Sequence, residues 1–223
     1  MIVVDVLEDF INGLNYQLDI VLVEYNITTD ITTVTVRDTL YARERLIVLV
    51  NDIETMIVSV DYTDNKIEFQ GEIVVTKIVL QTPFYIHGTP YAVNKQLDRE
   101  VQYPFVYLLE ILRETIPSEL DSKFETIPTL RLFFLDEANF QDWDTDELYS
   151  NVVVPQRRYC DFFLKEIRKA FNKFGLPTNI EITSFAKFGE YVSEKGILNS
   201  YFNKTLSGVE LRLDLPISKQ KCS

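Results

Sequence analysis

Histidine is almost missing from this sequence: His87 is the single one among 223 residues. A Ser-His-Asp or Cys-His arrangement therefore has one available base. No G-x-S-x-G nucleophile elbow accompanies it. Cysteine is nearly as scarce. Cys160 and Cys222 are too far apart to read as a disulfide framework, and with one histidine they are too few for a structural zinc site. A reduced, intracellular site of synthesis is the expectation. The seven glycines are widely spread, the closest pair being Gly189 and Gly196, and none precedes a lysine. Phosphate cradles need backbone N–H groups bared by closely spaced glycines, so a P-loop is excluded. So few glycines and prolines also leave no low-complexity tract. No apolar run approaches the roughly 18 residues of a membrane span. Met1-Ile2-Val3-Val4-Asp5 has no basic n-region, and Asp5, Glu8 and Asp9 interrupt any signal-peptide core. Neither a signal peptide nor a membrane partner is expected.

Charge of one sign dominates. The net charge is −12, and it is unevenly spread. Residues 1–155 hold 27 acidic and 10 basic side chains, whereas residues 156–223 hold 7 acidic and 12 basic. Phosphate binding depends on Lys and Arg displacing counterions, so the long acidic part repels nucleic acid. No specific nucleic-acid binding is expected. The basic end suits phosphate or an acidic neighbour.

The chain has the length of one large domain, and its core needs no staple. It reads as a single α+β domain over residues 1–223. The expected architecture is an antiparallel β-sheet meander packed with about three amphipathic helices. Residues 2–14 form the first helix, with Val3, Val6, Leu7, Phe10, Ile11 and Leu14 on one stripe. Residues 16–80 are dense in Val, Ile and Thr and predict strands at 17–28, 31–38, 45–51, 54–62, 66–70 and 72–80. Thr63-Asp64-Asn65-Lys66 reads as a hairpin turn. The remainder, 81–223, mixes helix and strand. Residues 81–102 read as an ordered loop, Pro104 to Glu114 as a helix, and 129–135 as a buried strand. The spacing of Tyr159, Phe163, Ile167, Ala170 and Phe174 predicts a long helix from Pro155 to Phe174, capped by Gly175. Ile180 to Phe188 and Val209 to Ile217 read as final strands.

Few constellations invite a chemical reading. Cys160 lies inside the long helix, where a thiol is usually a small core residue. Asp142-Trp143-Asp144-Thr145-Asp146-Glu147, with Asp136 and Glu137 before it, starts like a calcium loop. The pattern then fails, with Glu147 where glycine is needed and Val153 where a bidentate glutamate is needed. Segment 136–147 reads as a solvated acidic loop, and divalent binding there is left open. Asp64-x-Lys66 and Asp121-x-Lys123 have the local spacing of a metal-dependent nuclease, whose carboxylates must also align in space. Arg158, Lys165, Lys169 and Lys173, with Arg157 and Arg168 nearby, place a basic strip opposite the aromatic stripe. That strip reads as a solvated face or a partner face. No residue is assigned a catalytic, cofactor-binding or metal role, and no cofactor is expected.

Several segments together carry a family resemblance: Thr82-Pro83-Phe84-Tyr85-Ile86-His87-Gly88-Thr89, then Tyr103-Pro104-Phe105-Val106-Tyr107-Leu108-Leu109-Glu110. Leu132-Phe133-Phe134-Leu135 with the acidic loop follows, then Val153-Val154-Pro155 opening the aromatic helix. Phe188-Gly189-Glu190-Tyr191 and Leu206-Ser207-Gly208-Val209-Glu210-Leu211 complete the series. In this order, over about residues 80–217, the chain resembles structural neck and tail proteins of tailed bacteriophages, especially those of Bacteroides-type bacteria. The resemblance implies a non-enzymatic virion protein, made in the host cytoplasm: a head–tail ring or connector protein, a tail terminator or a related completion protein. Its partners are then further copies of itself in a ring and neighbouring portal, connector or tail proteins. Such rings close through heterologous contacts, and DNA passes through the lumen. A metal-dependent hydrolase or nuclease using carboxylates, and a binding module outside the virion, stand as alternatives.

Overall fold

Helix α1 (Val3–Asn12) forms where apolar residues recur at helical spacing. Val3, Val4, Val6, Leu7, Phe10 and Ile11 are buried, and Asp5 sits in the first turn, where the positive helix end favours a carboxylate. The computed structural model describes residues 3–97, 103–110, 113–116, 124–139, 143–192, 198–200 and 202–218. Contacts divide the chain, read from its sequence as one domain, into two compact units. One comprises Met1–Ile11 and Pro83–Ser223, the other Asn12–Thr82.

The second unit holds seven strands: β1 (Ile20–Asn26), β2 (Ile31–Val36), β3 (Ile47–Val50), β4 (Ile53–Met56), β5 (Ser59–Asp61), β6 (Lys66–Gln70) and β7 (Ile78–Val79). Its incoming and outgoing chains run side by side. The Leu18 N–H donates to the Ile78 carbonyl at 2.9 Å, and the Leu80 N–H to the Tyr16 carbonyl at 3.1 Å. Both sheets are antiparallel, in the orders β1-β2-β6-β5 and β4-β3-β7. The β5–β6 connection is the turn expected around Thr63–Asn65. Asn51 and Asp52 join β3 to β4 with φ of 50° and 67°. Two positive φ values make the mirror-image turn that matches strand twist in a two-residue hairpin.

Asn51 does more than turn the chain. Its Oδ1 accepts from the Thr76 N–H at 3.0 Å, the Thr76 hydroxyl at 2.8 Å and the Lys77 N–H at 3.0 Å. Its Nδ2 donates to the Val74 carbonyl at 2.6 Å. This side chain anchors residues 74–77, so only Ile78–Val79 of the expected strand 72–80 is strand.

The first unit continues with β8 (Phe84–Gly88), α2 (Pro90–Leu97), β9 (Phe105–Leu109), β10 (Arg113–Thr115), β11 (Phe124–Glu137), α3 (Thr145–Leu148), α4 (Val154–Lys169), β12 (Thr178–Phe188), β13 (Glu190–Val192), β14 (Leu198–Ser200), β15 (Leu206–Asp214) and β16 (Ile217–Ser218). A seven-stranded sheet runs β12-β15-β11-β9-β8, and β10 and β16 also pair with β11. Among the described residues, only β8 and β9, with α2 between them in sequence, pair in parallel. The protein is thus α+β with mainly antiparallel sheets, as expected.

Further expectations require correction. Residues 81–102 contain β8 and α2 rather than a loop. Phe105–Leu109 is a strand, not a helix, and all five residues are buried. A strand covered on both faces shows a continuous apolar run, which also satisfies a helical template. Helix α4 stops at Lys169 instead of reaching Phe174, because Ala170 leaves helical geometry with ψ of 45°. Gly175 is not its cap, and the Gly175 N–H donates instead to the Pro216 carbonyl at 2.7 Å.

The large sheet has two different faces. On one, Leu132 and Phe134 of β11 lie opposite Leu211 and Val209 of β15, all fully buried. Phe134 meets Tyr159 at 5.1 Å and Phe163 at 5.5 Å between ring centroids, and Phe10 of α1 meets Phe163 at 5.8 Å. On the other face Tyr107, Phe133, Phe188 and Phe202 form a ring chain, with successive centroids 5.4, 4.7 and 5.3 Å apart. Gly208 faces Leu135 across the ladder with φ of +150°, and a Cβ there would lie 2.0 Å from the Phe134 carbonyl oxygen. Only glycine fits this approach.

Candidate functional site

The residues with a conceivable chemical role are dispersed and already engaged. Cys160 is fully buried in α4, and burial pushes its thiol from 9.0 up to about 12. It stays protonated at neutral pH, and the thiolate is the nucleophile. His87 sits on β8 with its Nδ1 3.8 Å from a Glu110 carboxylate oxygen, both side chains nearly half exposed. Cys222, Asp121, Lys123 and Asp142 lie outside the described residues. The Lys66 ammonium pairs with Asp64 at 2.8 Å on the exposed β5–β6 turn.

The acidic segment has a structural use. Asp144 caps α3: its carboxylate accepts from the Glu147 N–H at 2.8 Å, and the Glu147 carboxylate accepts from the Asp144 N–H at 2.9 Å. The D-x-x-E spacing is a capping box, which satisfies otherwise unpaired helix N–H groups. Asp136 is buried, and its carboxylate accepts from the Glu137 N–H at 2.8 Å. Among the described residues no group of three or more His, Cys, Asp or Glu could hold a metal ion.

Beside the aromatic cluster, charges cross three strands. Arg131 of β11 binds Glu210 of β15 at 2.6 Å. Arg212 lies 3.6 Å from both Glu210 and Glu181 of β12. The Arg131 guanidinium also stands 5.5 Å from the Phe133 ring centroid. Glu210 is nearly buried, and two arginines compensate for its desolvation. This ladder holds strands together rather than presenting free charge.

The expected basic strip is only partly free. Arg157 pairs with Asp161 at 3.4 Å, and Lys169 pairs with Glu166 at 2.6 Å. Past the end of α4, Phe171 is 76% and Leu176 74% exposed, with Arg168, Lys169 and Lys173 exposed beside them in sequence.

The feature that asks for a functional reading is β1. It is an edge strand, pairing only with β2 among the described residues. Residues 21–26 are all exposed: Val21 at 60%, Leu22 at 49%, Val23 at 36% and Tyr25 at 38%, followed by Ile27 at 84%. Successive side chains point to opposite faces, so Val21, Val23 and Tyr25 line an apolar face while Leu22 shares the other with Glu24 and Asn26. Natural edges are usually guarded by lysine, proline or bulges. Here Ile20–Asn26 contains no lysine or proline, and one irregularity lies between Ile20 and Leu22. An open polar groove of about 310 Å³ adjoins the start of the strand, lined by Gln17, Leu18, Asp19, Ile20, Arg37 and Thr76. Charges of both signs stand near the strand, with Arg37 in the groove and Lys66 near Glu24. The Tyr25 hydroxyl donates to Asp30 at 2.9 Å, and Asp30 foremost, with Glu72, holds the phenol above its ordinary pKa.

The sequence marks 17–28 as strand but gives no sign that it is an exposed edge. Its four-residue run Ile20–Val23, bounded by Asp19 and Glu24, reads equally as a covered or an uncovered strand. Comparison with protein-family models, with curated proteins and with solved structures returned no match.

Proposed function

We propose that this chain is a non-enzymatic structural subunit that assembles with copies of itself into a ring in the neck or tail of a tailed bacteriophage. The observation that carries the reading is the exposed edge strand β1, with Val21 60% exposed, and Ile27 just beyond it 84% exposed. A strand edge offers a row of unpaired N–H and C=O groups, and an apolar one is stabilised when another chain covers it. Contiguous apolar surface of this kind marks interaction sites. The neck-or-tail placement follows from the resemblance over residues 80–217, and such rings require each subunit to bear complementary surfaces. The unequal charge of residues 1–155 and 156–223 suits that arrangement. Within the virion its neighbours are portal, connector or other tail proteins.

Two measurements test this. Light scattering on the purified chain should give a mass well above one 26.0 kDa subunit, with closed rings in electron micrographs. Mass spectrometry of purified phage particles should recover the chain in stoichiometric amount. Absence from the particles, or Mg²⁺-dependent DNA cleavage by the purified protein, overturns the reading.

A further inference from the structure

The self-assembly reading leaves open which surfaces meet, and the charge pattern narrows the choice. Residues 17–36 contain Asp19, Glu24 and Asp30 and neither lysine nor arginine. Residues 165–176 contain Lys165, Arg168, Lys169 and Lys173 against the single acid Glu166. Each segment also carries exposed apolar side chains with no described cover: Val21, Leu22 and Ile27 in the first, Phe171 and Leu176 in the second. Apolar centres matched by charges of opposite sign are the composition of a specific contact, with the charges setting partner and orientation. The two surfaces differ, so a contact between them can repeat head to tail from copy to copy, which makes it heterologous. Heterologous contacts close into rings or run on as filaments. Just beyond Leu176, β12 forms one edge of the large sheet and supplies a strand for edge pairing.

We propose that a second copy of this chain covers β1, head to tail. The Val21–Ile27 edge of one subunit seats against Phe171 and Leu176 of the next, among Arg168, Lys169 and Lys173. Each subunit contributes one acidic edge and one basic patch, so both surfaces are occupied in a closed ring. This rests on the self-assembly reading.

The test uses two full-length variants. Val21→Lys/Ile27→Lys disables the edge, and Phe171→Ser/Leu176→Ser disables the patch. All four side chains are exposed, so both variants should melt like the parent. Light scattering should show assembly by the parent, single chains for each variant alone, and a one-to-one pair when the variants are mixed, because each keeps one intact surface. Assembly of the parent should also weaken as salt is raised. If both variants assemble like the parent, or only the edge variant is impaired, the head-to-tail contact is wrong and self-assembly stands. If the parent itself stays a single chain at every concentration, both readings fall.

Discussion

In the unit built on β11 and β15, rings meet rings: Phe134 with Tyr159 and Phe163, Phe133 with Tyr107 and Phe188. In the Asn12–Thr82 unit the buried residues are chiefly aliphatic, such as Val34, Val36, Val48, Val50, Ile57, Ile67 and Ile78, with Tyr16, Tyr41 and Phe69 among them. The difference has a geometric cause. A sheet covered on both faces has room for large planar side chains, whose burial and edge-to-face contacts add together. The two smaller sheets present β-branched residues over short distances and rely on side-chain hydrogen bonds to hold their loops. Asn51 fastens residues 74–77, and the Tyr41 hydroxyl donates to the Gln81 carbonyl. The larger unit thus gains most from packing, and the smaller one leans on a few polar anchors and leaves an edge bare.

That contrast can be broken at graded cost. Phe134→Ala should have the largest effect, destabilising the aromatic unit by roughly 3–5 kcal/mol in chemical denaturation. A loss under 1 kcal/mol would mean the aromatic packing is not what holds this unit. Asn51→Ala should cost roughly 1–3 kcal/mol, since it strands the Lys77 and Thr76 N–H groups. Hydrogen exchange should rise first at residues 74–77, and a uniform rise would contradict an anchoring role. Asp144→Ala removes one side of the capping box and should cost about 0.5–2 kcal/mol, with faster exchange confined to α3.

The smallest effect concerns Cys160. Burial raises its thiol from 9.0 to about 12. The folded state therefore holds this proton more tightly than the unfolded chain. That contribution is complete below pH 9 and is lost as pH rises toward 12. Cys160→Ala should flatten the alkaline decline in stability over that range. In the parent, thiol reagents should modify Cys160 only as the unit opens. Rapid labelling of Cys160 at neutral pH in the folded state would contradict its burial.

Much of the secondary structure was legible, because periodicity reports burial directly when one face is wet. In β15 the alternation of Val209, Leu211 and Leu213 with Glu210, Arg212 and Asp214 predicts one wet face; the apolar residues are buried and Arg212 is exposed, but Glu210 is buried against two arginines. Val3, Val6, Leu7, Phe10 and Ile11 of α1 and Tyr159, Phe163 and Ile167 of α4 are buried as expected, whereas Leu14 and Ala170 fall beyond the helix ends and are half-buried. Phe105–Leu109 misled because a strand with two dry faces has no wet face to report. The Asn12–Thr82 unit nearly coincides with the Val-, Ile- and Thr-dense stretch 16–80, but no glycine- or proline-rich linker bounds it, so composition marked the stretch and not its separation as a unit. The acidic segment shows a related limit. Spacing put Asp142, Asp144 and Asp146 in a calcium-like series that Glu147 breaks, and in the structure Asp144 and Glu147 together cap α3.

The β1 edge shows the same limit from the other side. Its composition specifies a strand, since β-branched residues fit a pleated surface whether or not anything covers it. The amino-acid order by itself determined strand and helix periods, the acidic-to-basic asymmetry and the absence of a phosphate cradle. Only the tertiary structure decided which apolar runs are covered. Burial is a property of neighbours brought together from distant parts of the chain: β11 lies between β9 and β15, whereas β1 has β2 on one side and no described strand on the other.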